Sequence, residues 1–527
     1  MKIKKTMAAA GLCLALFSAG CSDSFLDRPP ISQISADNFY QTTNDLRLAT
    51  AALYGGKPWG DWNFNCFLPI GDVLSGNLAV NYWGDAVQLN TFAVTGSNEI
   101  MIANWKGMYK VIAHCNVTIK AIEEKAPASI PEKDKLGAIA EAKFLRAFAY
   151  YNLALLWRDV PIIKDNTELI STPLVHRNPL EDVFRFAAND LLFAAKNLPV
   201  KDAAGRLTTW SAQGMLSKVY LTWAGVEAKG NGPRNQALLD SAKLHAGNVC
   251  KQSGLSLLPN YADLFKTQFN DNQESLFALQ WAPGTGWLEG NMLQVYSPGG
   301  PEISAAGQAG WFGIAPTYDL YKQYAKEDTI RRKATVMLKG DYYPELNAAG
   351  GGYKFVGNAG LKKHIIGTRI DNSAPTMTLT SSIEHNALLR LAEVYLIYAE
   401  AIMGNSTSTS NADALLYFNK VRTRAGLAAV TSLDLETLFR ERRVELAAEG
   451  HFWEDLVRLS YYNEPKAIKK LNEQERVLFT IENSVVTKSN PLAEITPANT
   501  TTFKLPIPSP EVTANPKLLE APVPYSF

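Results

Sequence analysis

The chain has 527 residues, enough for a large core, and its 52 basic and 51 acidic side chains nearly cancel. That balance leaves no basic excess to hold nucleic acid and suits an uncharged or weakly charged partner. A multi-span transporter is excluded as well: the most apolar later stretch, Leu388 to Ala401, is broken by Arg390, Glu393 and Glu400.

At the N-terminus, Lys2, Lys4 and Lys5 precede an uncharged apolar run from Met7 to Gly20. The run is shorter than the roughly 20 residues a spanning helix needs, so it reads as a secretory signal. It ends in Ser18-Ala19-Gly20-Cys21, which resembles a bacterial lipobox, where the cysteine is acylated and becomes the first mature residue. Two or three acyl chains anchor firmly, because each buried methylene contributes about 0.8 kcal/mol. The expected organisation is a signal peptide over 1–20, a lipidated Cys21 with a polar tether over 21–36, and one α-helical domain over 37–527. Cys66, Cys115 and Cys250 are widely spaced and odd in number, with no C-x-x-C pair. They read as buried free thiols, with a single disulfide left open, and not as a zinc site or a disulfide framework.

Helical periodicity begins near Asp37, placed to cap a helix through Tyr54. Residues 55–97 are rich in Gly, Asn and aromatics and read as an irregular excursion. Helices are predicted over 98–122, 136–157, 181–198, 210–226 and 235–252. In the second of these, Phe144, Phe148, Tyr151 and Leu155 make one apolar stripe. Residues 255–385 form a second excursion with short β-like runs, and Gly350-Gly351-Gly352 within it reads as a turn because the Lys-Ser/Thr of a phosphate loop is missing. Helices return from His385, with Leu391, Val394, Tyr395, Tyr398 and Ile402 on one face, then over 411–425 and 435–450. The proline-rich tail from Phe503 to Pro516 is expected to run extended. Paired amphipathic helices suggest a repeat array whose units are separated by insertions.

Eight segments, in this order, resemble the SusD/RagB family of nutrient-binding surface lipoproteins. They are the lipobox with CSDSFLD, NWKGMYKVIAHCN at 104–116, EAKFLRAFAYYNLALLWRDVPII at 141–163, WSAQGMLSKVYLTWAG at 210–225, PTYDLYKQYAKEDTIRR at 316–332, LLRLAEVYLIYAEA at 388–401, ERRVELAAEGHFWEDLVRL at 441–459 and LPIPSPEVTANP at 505–516. The resemblance implies a mainly α fold: tetratricopeptide-like helix pairs in an α-solenoid scaffold, with the excursions carrying the ligand site. It also implies a non-catalytic role at the outer membrane, with a glycan ligand and a TonB-dependent, SusC-like transporter as partner. Two positions depart from the pattern: Arg158 stands where Gly is common, and Phe452 where Arg is frequent. Both read as packing positions. In the same motif Glu441, Glu445, Arg442 and Arg443 read as structural, with Asp455 and Arg458 placed to pair with that helix and Gly450 suited to its C-terminus.

A neutral sugar offers C–H faces to aromatic rings and hydroxyls to Asn, Asp, Gln and Arg. Such residues belong on loops held by a rigid scaffold. The leading candidates are Tyr82 and Trp83 with Asn81 and Asp85, followed by Trp287, Asn291, Tyr296 and Trp311. Trp59 and Trp62 are weaker, while Trp105, Trp157, Trp210 and Trp453 sit inside helix motifs and read as core. No H-e-x-x-H or G-x-S-x-G motif marks a hydrolase, although a carboxylate pair is not visible in sequence alone. No cofactor is called for; a calcium ion held by loop carboxylates is compatible with the sequence but has no locatable ligand set. A repeat scaffold that binds only protein or peptide is the alternative, and it leaves the aromatic loops without a role.

Overall fold

The computed structural model describes residues 39–80, 82–305, 311, 313–491 and 493–527. The expected signal, Cys21, the tether and Asn81 lie outside the described residues. Among the described residues, no helix is long and apolar enough to cross a membrane.

Residues 39–42 are bends, so the helix expected from Asp37 opens later, as α1 (Thr43–Ala51). A capping box decides where: Thr42 accepts from the Asp45 N–H, and the Asp45 carboxylate accepts from the Thr42 N–H. The first excursion is more ordered than its composition suggests. It holds α2 (Lys57–Trp62), which runs into π-helical turns over Asn63–Phe67 and Pro69–Val73, and then α3 (Gly84–Asn90). Trp59 and Trp62 are core residues, and Trp62 donates to Asn104 at 2.6 Å. Burial of these rings on the scaffold overrides the poor helix propensity of Gly and Asn.

The scaffold is a succession of helices: α4 (Glu99–Lys125), α5 (Glu132–Trp157), α6 (Leu180–Asn197), α7 (Thr209–Trp223), α8 (Gln236–Gln252), α9 (Leu391–Met403) and α10 (Ala412–Arg424). Each packs on the next, and α8 packs on α9 although the whole second excursion lies between them in sequence. The excursion therefore loops out of the array, which accounts for its irregular period. The α5 stripe of Phe144, Phe148, Tyr151 and Leu155 is buried, as are Trp105, Trp157 and Trp453; Trp210 is half-buried at the start of α7.

Short antiparallel ladders tie the excursions down. β1 (Leu78–Ala79) pairs with β3 (Ala315–Pro316), joining the first excursion to the second. β2 (Ser275–Leu279) pairs with β4 (Asn386–Arg390), closing the second excursion at its base. A hairpin of β5 (Phe479–Glu482) and β6 (Val485–Lys488) lies further on.

After α10 come α11 (Leu435–Glu445), α12 (Phe452–Tyr462) and α13 (Glu464–Asn472). α11 stops at Glu445, short of Gly450, and the turn between them passes through φ of 59° at Ala448 and 84° at Gly450. The facing π-helical turn must also carry glycine, because a Cβ on Gly71 would meet the Gly450 Cα at 2.2 Å. Asp72 holds the turn by accepting from the N–H groups of Ala448 and Gly450 at 2.8 and 2.9 Å.

Behind this turn lies a buried ionic network. Glu445 pairs with Arg390 at 2.7 Å, Arg331 at 3.2 Å and Arg424, and Glu449 pairs with Arg390 and Lys363, each at 2.6 Å. Burial would raise both carboxylates, but the facing guanidiniums, joined by the Lys363 ammonium at Glu449, outweigh it and hold each at about 2. Arg442 bonds Asp455, and Arg458 pairs with Asp455 and Glu400, so the acidic and basic residues of this motif are structural. Phe452 is buried beneath the Arg443 guanidinium, 4.4 Å from its ring centre.

The tail departs from expectation. Phe503 and Leu505 are buried, the Leu505 N–H donates to Leu156, and α14 (Ser509–Ala514) then forms a short helix. Its Pro510 lies in the first turn, where no intrahelical N–H is needed. Cys66, Cys115 and Cys250 are all free; burial pushes the Cys115 thiol up to about 12, which makes it unreactive.

Candidate functional site

Both excursions contribute aromatic rings to one cluster. Trp287 and Trp311 stack, with ring centres 6.1 Å apart and planes 21° apart. Phe64 meets the edge of Trp287 at 5.6 Å and lies nearly parallel to Tyr296, also at 5.6 Å. Tyr296 in turn lies nearly parallel to Trp83 at 6.2 Å. The chain of contacts is therefore Trp83, Tyr296, Phe64, Trp287, Trp311, and it crosses between the excursions.

Backbone contacts set the positions of these rings. Gly60 in α2 sits against the Leu288 carbonyl so closely that a Cβ there would come within 1.9 Å of its oxygen. Leu288 itself has φ of 59°, and its neighbour Glu289 pairs with Lys57 at 3.0 Å. Trp287 is thus held from below by α2. The Trp311 N–H donates to the Val295 carbonyl at 3.1 Å. On the other flank, the Tyr82 hydroxyl meets the Gly313 backbone; burial raises this phenol and the Gly313 bond offsets part of the rise.

The rings divide by exposure. Trp287 is 56 % exposed and Tyr82 55 % exposed, while Trp83 and Trp311 are half-buried. Tyr296 is 1 % exposed, and its hydroxyl donates to the Phe64 carbonyl. Tyr82, Trp83, Trp287 and Trp311 can therefore present ring surface to a ligand. Tyr296 and Phe64 form the floor beneath them.

Two expected contact residues are buried, and a third, Asp85, also meets a helix N-terminus. Tyr296 forms the floor of the platform, stacked between Phe64 and Trp83. Asn291 is fully buried: its amide donates to the Glu384 carbonyl at 2.7 Å and its side-chain oxygen accepts from the Leu293 N–H at 2.9 Å. Its hydrogen-bonding capacity is spent inside the excursion, so it is a structural residue. Asp85 turns to the N-terminus of α4, where its carboxylate meets the Glu99 N–H at 3.4 Å. Phe64 was missed by sequence reasoning. Its only signal was an aromatic in the same stretch as Trp59 and Trp62, and a ring linking two excursions cannot be told there from a ring in the core.

Among the described residues, one group of side chains has metal-ligand character, Glu393, His451 and Glu454, on the scaffold. Lys218 already supplies its positive charge, with its ammonium 3.2 Å from Glu393, 2.5 Å from Glu454 and 3.1 Å from the His451 Nδ1. Burial would lower this lysine, but the two carboxylates hold it above its usual range, so it remains an ammonium. The group is a buried ion-pair cluster.

Residues 273–523 match the family model described as SusD family, and residues 27–221 match one described as starch-binding associating with outer membrane. A SusD-like protein of Bacteroides ovatus is 37 % identical over 537 aligned positions, covering 97 % of both chains. The chain belongs to the SusD family. Its array of packed helix pairs with excursions is the mainly α, tetratricopeptide-like architecture of that family. One solved crystal structure has a TM-score of 0.88 at 35 % identity, covering 93 % of this chain and 100 % of the other. A second, a crystal structure with xylogluco-oligosaccharide, has a TM-score of 0.84 at 36 % identity, covering 92 % of this chain and 99 % of the other.

Proposed function

We propose that this SusD-family protein is a non-catalytic glycan receptor on the outer face of the outer membrane. It captures an oligosaccharide or polysaccharide on the aromatic platform and passes it to a TonB-dependent, SusC-like transporter. The observation that carries the reading is the stacked Trp287–Trp311 pair, exposed on its Trp287 side and joined through Phe64 to the Trp83 and Tyr82 flank. Four partly exposed rings on a rigid floor suit the C–H faces of an extended sugar chain. Ring stacking and weak hydrogen bonds also permit release, which delivery requires. The related structure with xylogluco-oligosaccharide makes a β-glucan backbone with xylosyl branches the first ligand class to test. Cys21 is the proposed lipid attachment that holds the receptor at the membrane.

Affinity electrophoresis of the purified protein through gels containing polysaccharides tests the reading. Retardation without released sugar, lost in Trp287→Ala and Trp83→Ala, is the expected result. Released sugar would overturn the non-catalytic role. Free migration through every glycan would favour a protein or peptide ligand instead.

A further inference from the structure

Beside the platform lies an open cavity of about 390 Å³. On the platform side its wall includes Tyr296, Pro298 and Gly313; on the far side it includes Asn358 and the hairpin threonines Thr480 and Thr487. Two of these residues also belong to the platform's Tyr82–Trp83 flank. Tyr296 lies parallel to Trp83, and Gly313 meets the Tyr82 hydroxyl. The cavity thus adjoins that flank of the platform. Its size falls within the roughly 300–1,000 Å³ of pockets that hold small organic ligands.

We propose that this cavity receives a neutral sugar branch of a glycan whose backbone lies on the platform. The proposal rests on the platform being a glycan site. A backbone stacked across the rings cannot descend into the cavity without leaving them, but a substituent attached to it can. The walls combine apolar surface from Pro298 and Ile314 with the amide of Asn358 and the hydroxyls of Thr480 and Thr487, the mixture a pyranose branch requires. Thr480 and Thr487 are directly opposed across β5 and β6, so the rigid ladder sets their spacing. Lys488, also on the wall, pairs with Glu475 and lies 4.3 Å from the Tyr318 ring centre. Glu475 is shared with Lys322, so the choice of a neutral sugar rests on the amide and hydroxyls of the wall and not on Lys488.

The test compares a xyloglucan oligosaccharide with an unbranched cello-oligosaccharide of equal backbone length, by calorimetric titration of the purified protein. Thr487→Trp fills the cavity from an exposed strand position. It is expected to weaken the branched ligand by about tenfold and to leave the unbranched one within about twofold. Asn358→Ala, which adds no bulk, is expected to weaken only the branched ligand, by a few-fold. Equal effects of Thr487→Trp on both ligands, or no effect on either, would overturn the branch cavity. Trp287→Ala separates the two readings: loss of both ligands supports the platform whatever the Thr487 result, whereas retention of both removes it. A wild-type protein that binds neither oligosaccharide would overturn the proposal together with the choice of glycan.

Discussion

Trp287 and Trp311 lie 24 residues apart in sequence yet stack within 21° of parallel, with Trp287 56 % exposed. An exposed tryptophan supported by a second ring is pre-organised for stacking and loses little freedom when a ligand binds. Trp287→Ala should therefore lower glycan affinity by about tenfold, roughly 1.4 kcal/mol, with little change in melting temperature. Calorimetric titration alongside a thermal melt checks this. A large fall in stability would mean that the ring is a core residue.

Gly60 tests how the platform is held. A methyl group there has no room against the Leu288 carbonyl, which is backbone and cannot swing away. Gly60→Ala should cost about 1–3 kcal/mol of stability and displace Trp287. Glycan affinity should fall even in protein that remains folded, although no ligand-facing side chain has changed. A denaturation curve combined with titration of the folded fraction distinguishes the two effects.

Asn291 should behave in the opposite way. Asn291→Ala leaves the Glu384 carbonyl and the Leu293 N–H without their side-chain partner in a buried setting. The expected cost is about 1–3 kcal/mol of stability, with affinity per folded molecule unchanged. An affinity loss at unchanged stability would restore Asn291 as a ligand contact.

Acid should destabilise the fold through Glu445 and Glu449. Both have folded values held at about 2, against an ordinary value of 4.5. Between these values the unfolded chain binds more protons, so acidification favours unfolding. The stabilisation is full above about pH 4.5 and is lost as pH falls through about 2. Melting temperatures measured across this window should decline steadily. Arg390→Met, which removes a shared guanidinium, should destabilise the protein at neutral pH and flatten the decline.

Arg158 ends α5 with φ of 63° and places its guanidinium 5.5 Å from the Tyr461 ring centre. This positive φ explains why glycine suits the position. Arg158→Ala keeps the backbone strain and loses the ring contact, whereas Arg158→Gly loses both. Gly should thus be more stable than Ala here by about 1 kcal/mol, the reverse of their order inside a helix. Paired urea denaturation curves measure the difference.

The helical scaffold was legible because its signals are local. The α5 stripe and the Asn98 and Asn235 caps act within a few residues of where they stand, so periodicity found the helices to within a few positions. The errors fell where distant parts of the chain decide. Residues 57–73 read as irregular, yet they are helical because Trp59 and Trp62 bury against the scaffold. The tail read as extended, yet Ser509–Ala514 is helical, with the Ser509 N–H held by the Gly96 carbonyl at 2.7 Å and the Asn515 amide donating to the Val175 carbonyl at 2.8 Å.

The site divides along the same line. The sequence by itself determined the family, the paired-helix scaffold and the two excursions that hold the platform rings, since these follow from local pattern and motif order. Only the tertiary structure decided which aromatic and polar side chains face outward. Tyr296 and Asn291 stood after Trp287 as candidates in one dimension, but Tyr296 is stacked between Phe64 and Trp83 and Asn291 is bonded to Glu384 and Leu293, while Trp287 stays at the surface. Exposure is a property of long-range packing, and residue type and spacing do not encode it.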